Sequence, residues 1–104
     1  IDPIGIQQIG TEVPEVFELH QNYPNPFNPS TKIKFDIAQS VSGSDANLKI
    51  FDIRGREVAS LFSGKLNAGK YEAEWSPKFM PSGTYFAKLT AGNFTKTIKL
   101  ILTK

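Results

Sequence analysis

The chain has 104 residues, 39% hydrophobic, 21% charged and 12% aromatic, which is one domain's worth with enough apolar content to fold. It holds no cysteine and one histidine, which excludes disulfides, thiolate chemistry, cysteine-based zinc sites and any site built on two imidazoles. The net charge of +2 divides into −4 over residues 1–31 and +6 over residues 32–104, far too dilute for a nucleic-acid binder.

Residues 1–16, IDPIGIQQIGTEVPEV, show no sustained period and carry Pro3, Pro14, Gly5 and Gly10, so they are expected to be a linker from an upstream domain. The chain has neither an initiator Met nor a basic n-region and reads as a piece of something longer. Order is expected over 17–104. FELHQ (17–21) alternates as a short strand. The run 22–31, NYPNPFNPST, holds three prolines, which fix φ and remove backbone donors, so it is expected to be a rigid turn-rich crossing. TKIKFDI (31–37) then sets Ile33, Phe35 and Ile37 against Lys32, Lys34 and Asp36. SVSGSDAN reads as a polar loop. NLKIFDI and REVASLF flank Arg54-Gly55 as a hairpin whose turn needs the positive φ of Gly55. GKYEAEW, GTYFAKLTA and FTKTIKLILTK complete the set, the last two joined at Ala91-Gly92-Asn93.

Seven short strands, no helical period and no run of about 18 apolar residues predict an all-β, immunoglobulin-like antiparallel β-sandwich with no transmembrane segment. Without a disulfide, Trp75 is expected to anchor the core with Tyr71, Tyr85 and Phe35.

Catalytic sets are absent. His20 lies at the polar phase of its strand and is expected to be solvated. Glu72 and Glu74 share a strand face about 6–7 Å apart, but a glycosidase pair stands on different elements across a cleft, so these read as an outer row. Ser42, Ser44, Asp45 and Asn47 offer oxygen at alternate spacing without the glycine and closing glutamate of a calcium loop, and read as a turn. No enzyme activity, cofactor or metal is expected. Phe51 and Phe86, opposite in phase to the core residues and beside Lys49 and Lys88, are the candidates for an exposed aromatic surface. Such a surface supports an alternative role as a carbohydrate- or surface-binding Ig-like accessory module of a secreted enzyme. Lys96, Lys99 and Lys104 form an intermittent basic edge on the last strand, where lysine also discourages unwanted pairing; an open edge there would also allow a weak homodimer.

The run Leu19-x-Gln21-Asn22-Tyr23-Pro24-Asn25-Pro26-Phe27-Asn28-Pro29-Ser30-Thr31 followed by KIKF resembles the opening motif of the type IX secretion system C-terminal sorting domain, type A. KIFDIRGREVASL resembles that family's strand–Asp-x-x-Gly-Arg–strand hairpin, with Gly55 and Arg56 at the motif positions. Pro81-Ser82-Gly83-Thr84-Tyr85-Phe86 is similar to its late Gly-x-Tyr motif, and Lys96 to Lys104 to its lysine-punctuated final strand. The fold also resembles the Ig-like domain of the flagellar hook-capping protein. The resemblance implies a non-catalytic module at the C-terminus of a larger secreted protein of the Bacteroidota and relatives. Such modules pass through the periplasm and direct cargo across the outer membrane to the cell surface. It implies recognition by the translocon and its shuttle protein, and removal by a sortase-like peptidase. Asn22 to Pro29 and Gly55 are then expected to set shape, and Lys99, Lys104, Gly83 and Tyr85 to carry signal.

Overall fold

The computed structural model describes residues 6–10 and 12–104. Eight strands form: β1 (Ile6–Gly10), β2 (Glu18–Leu19), β3 (Thr31–Ile37), β4 (Ser44–Asp52), β5 (Glu57–Leu66), β6 (Gly69–Trp75), β7 (Gly83–Ala91) and β8 (Phe94–Leu102). They build two four-stranded antiparallel sheets, ordered β1-β6-β3-β2 and β5-β4-β7-β8. The chain crosses between sheets after β3, β5 and β6, which gives β2 to β8 the connectivity of an immunoglobulin-like sandwich. All-β architecture is thus as the sequence predicts.

Alternation decides which faces meet. Ile33, Phe35 and Ile37 of β3 are buried with Leu48, Ile50, Ala87, Leu89 and Leu100 of the facing sheet, forming one continuous core. Each such side chain contributes roughly 1.5–3 kcal/mol, most of it offset by the chain entropy lost on ordering. On the wet face of the first sheet, Lys32 lies opposite Glu74, Lys34 opposite Glu72 and Asp36 opposite Lys70. Opposite charges in cross-strand register favour this pairing over a one-residue slip. Glu72 and Glu74 are therefore an outer row, as expected.

Three boundaries differ from the sequence reading. Ile6–Gly10 falls in the stretch expected to be a linker, yet it pairs with the outer edge of β6. Of its residues only Ile6 is buried, and the register shifts between Gln8 and Gly10, so no alternation announces it. A Cβ on Gly69 would sit 2.6 Å from Gln8 Nε2, the tip of a flexible side chain that can move aside. Residues 1–5 and Thr11 of the expected linker lie outside the described residues. The polar loop is shorter than expected: a 3₁₀ turn (Gln39–Val41) precedes β4, which places Ser44, Asp45 and Asn47 on a strand. β5 extends through Ser63–Leu66 because Ser44 and Asp45 lie opposite Leu66 and Lys65.

Strand directions send the connections to two ends. One end gathers residues 20–30, the hairpin turn 53–56, the loop 76–82 and residues 103–104. The other gathers 12–17, 38–43, 67–68 and 92–93. The first is called the motif end below and the second the leader end.

Candidate functional site

The proline run connects β2 to β3, two neighbours in one sheet, by a detour to the edge of the other sheet. All three of its X-Pro bonds, Tyr23-Pro24, Asn25-Pro26 and Asn28-Pro29, are cis. The amide of Phe27 donates to the Ile101 carbonyl (2.9 Å), and the Thr103 amide donates to the Phe27 carbonyl (3.0 Å). Asn25 Oδ1 accepts from the Ile101 amide (3.0 Å), and Gln21 Nε2 donates to the Lys99 carbonyl (2.8 Å). Residues 21–27 thus clamp β8 along its outer edge. The run holds itself through a buried amide: Asn22 Nδ2 donates to Thr31 Oγ1 (2.9 Å) and the Pro24 carbonyl (3.1 Å), while Thr31 Oγ1 donates to that carbonyl (2.9 Å). Both side chains are buried, so each lost partner would leave a desolvated polar group. Phe27 drives its ring into the core, 5.6 Å from the Trp75 ring.

At the same end, on the far side of β8 and β7 from the clamp, lies the hairpin turn. Asp52 Oδ1 accepts from the amides of Arg54 (2.9 Å) and Arg56 (3.0 Å), and Asp52 Oδ2 accepts from Arg56 Nε (3.2 Å). The Arg56 amide is the main cause holding the Asp52 carboxyl below its usual range. Partial desolvation works against it, and the Arg54 amide and the Arg56 guanidinium reinforce it. Gly55 closes the turn at φ 84°, a conformation that disfavours any Cβ. The turn and the 81–84 segment form the two walls of a groove of about 330 Å³. Tyr85 floors the corner: its hydroxyl donates to the Pro81 carbonyl (2.6 Å) while its ring meets Trp75 edge-on at 5.4 Å. A tyrosine that ties the start of a strand to the backbone four residues earlier is the tyrosine corner of such sandwiches. Burial pushes its hydroxyl pKa up, with a further contribution from the Asp52 charge.

The C-terminal residues complete this end. The Lys104 amide donates to Ser82 Oγ (3.0 Å), and Lys104 Nζ donates to the Lys78 carbonyl (3.3 Å). Asn28, Pro29, Pro77, Lys78 and Lys104 line a second groove on the other side of the loop. Four segments far apart in sequence therefore converge: 21–29, 52–56, 76–85 and 99–104.

Most candidate residues meet there, but not all in the expected role. Asn22, Asn25, Phe27 and Tyr85 are structural ties. Tyr23, Pro24, Pro26, Asn28 and Pro29 are exposed along the run, and Arg56 and Gly83 border the first groove. Tyr85 is buried, with its hydroxyl tied to Pro81, and it lies at the floor of the first groove. The three lysines do not form one edge. Lys96 lies opposite the buried Leu89, near the leader end, and borders a groove with Glu15, Phe17 and Phe94. Lys99 lies opposite Phe86 on the outer face, and Lys104 alone reaches the motif end. The β8 edge from Lys99 to Thr103, expected to be open, is taken by the chain itself.

Phe51 and Phe86, expected as an exposed aromatic surface, face each other across β4 and β7 and are half-buried. The exposed rings are instead Phe79 and Tyr23 at the motif end and, less fully, Phe94 at the leader end, with Ile53 exposed on the hairpin turn. An aromatic in a turn-rich loop without alternation, as in SPKFMPSG, is the signal that finds Phe79. His20 is exposed and 3.3 Å from Asp36 Oδ2, which also receives Lys70 Nζ at 3.5 Å. Among the described residues, no three His, Cys, Asp or Glu side chains gather as metal ligands, and no helix is long and apolar enough to cross a membrane.

A comparison with curated proteins returns no match to the chain. A comparison with protein families matches residues 21–103, from the residue whose side chain reaches Lys99 to the one whose amide reaches Phe27. The matched family is the secretion system C-terminal sorting domain, and this chain belongs to it.

Proposed function

We propose that the chain is a type IX sorting signal whose motif end is the face read by the secretion machinery, with the cargo attached upstream. The convergence of the four motif segments on that end carries the reading. Side chains spread over more than 80 residues of sequence need no common location to stabilise a sandwich, and a receptor needs one. In this reading the translocon and its shuttle protein bind the domain in the periplasm, and a sortase-like peptidase cuts ahead of it. The cargo then reaches the surface or the medium. The domain acts by being bound and performs no reaction itself.

A reporter carrying the whole chain at its C-terminus tests this. It should leave cells that possess the type IX system and stay periplasmic in cells lacking it. Equal export from both strains overturns the proposal.

A further inference from the structure

Two apolar side chains project from the motif end with almost nothing over them: Phe79, 93% exposed, and Ile53, 71% exposed. They stand on separate loops and gain the fold next to no burial. Each has a cation beside it in sequence, Lys78 before Phe79 and Arg54 after Ile53. Lys104 adds a third, held against the same loop by its bond to the Lys78 carbonyl. Asp52 is committed to the turn and Glu57 to Lys49 (3.4 Å), while Glu74 lies opposite Lys32 on the wet face of the first sheet. Among the described residues no carboxylate pairs with Arg54, Lys78 or Lys104.

We propose that this tip docks on a bilayer surface containing anionic phospholipid, with Phe79 and Ile53 entering the headgroup boundary while Arg54, Lys78 and Lys104 meet lipid phosphates. Apolar or aromatic side chains flanked by Lys and Arg suit the membrane interface, where the ring leaves water and the cation stays in it. Phe79 lines neither of the two grooves described at this end, so a soft plane can take both tips where a peptide lying in a groove would meet Ile53 alone. Charge also orients the molecule. Glu12, Glu15 and Glu18 lie toward the leader end, so an anionic surface attracts one end and repels the other. The inference does not rest on the sorting assignment, because purified protein reports lipid binding whether or not export occurs.

Co-sedimentation of the full chain with phosphatidylcholine vesicles, with and without phosphatidylglycerol, provides the test. Binding is expected only with phosphatidylglycerol, weakening as salt rises. Replacing both tips (Phe79→Ser with Ile53→Ser) should lower affinity about tenfold or more. Arg54→Gln and Lys78→Gln should each lower it about fivefold, whereas Lys65→Gln at the leader end should leave it unchanged. All five positions are exposed, so an unchanged urea midpoint separates lost docking from lost folding. The proposal is overturned by no binding to anionic vesicles, by full binding of the double tip variant, or by an equal loss from Lys65→Gln. Displacement by inorganic phosphate would reveal a simple anion site, and binding of polyglutamate in place of vesicles an acidic protein partner; either result overturns it too.

Discussion

The two ends of the sandwich use one architectural device for different purposes. At the leader end Tyr71 donates its hydroxyl to the Asn67 carbonyl (2.8 Å), and at the motif end Tyr85 donates to the Pro81 carbonyl (2.6 Å). Both tie a strand to the residue four positions earlier. At the leader end the tie serves a short turn of small polar residues, close to the surface pair of Asp45 with Lys65 (3.1 Å). At the motif end it supports a long loop with an exposed phenylalanine, unpaired cations and a clamp on the last strand. The device is the same at both ends, so the difference lies in what each end displays. Stability and display can therefore be separated by substitution.

Phe27→Ala should have the largest effect, because it empties a buried ring site against Trp75 and loosens the clamp at once. The expected loss is about 3–5 kcal/mol, read as a lower urea midpoint. A loss under about 1 kcal/mol would mean that the clamp and the core are independent.

The tyrosines give a matched pair. Tyr71→Phe and Tyr85→Phe should each cost about 1 kcal/mol, and only Tyr85→Phe should reduce export of a fused reporter. Equal export defects would erase the distinction between the ends. Burial raises both hydroxyl pKa values, so the folded state favours the neutral phenol. The stability from this source is complete below about pH 10 and disappears as pH rises through the raised values. Each Phe variant should therefore lose less stability than the parent on the alkaline side, in a urea titration repeated across pH.

The smallest effect is expected from the carboxylates. The Asp52 pKa is lowered in the fold, so its contribution is complete above about pH 4 and is lost as pH falls through the lowered value. Asp52→Asn should flatten the acid limb of stability. Asp45→Asn, which removes only an exposed pair, should move the urea midpoint at neutral pH by less than Asp52→Asn does. The reverse order of sensitivity would refute the assignment of Asp52 as the organiser of the turn.

Legibility in the sequence follows from where the information is stored. β3, β6 and β7 match their expected spans because alternate side chains enter one core, a local signal with a period of two. The hairpin is legible through Gly55, whose conformation is a property of one residue. β1 is not, because an edge strand with one buried residue has no period to show. The end of β5 reads as a turn from Ser63-Gly64, and only the strand opposite makes it extended. Phe51 and Phe86 show the limit most plainly: phase places them outside, but each covers the other across two strands. The clamp was beyond reach, since its bonds join residues as much as 78 positions apart. The proline run announces that something rigid is present without saying what it grips.

That grip makes the earliest motif depend on a strand as much as 78 positions later. A chain that stops before β8 leaves Asn25 and the Phe27 backbone without Ile101 and Thr103, and leaves Ser82 without Lys104. The assembled end then exists only where β8 has docked against the run. A partner reading that end would meet it only on a closed fold, so the clamp makes recognition conditional on the last strand being in place.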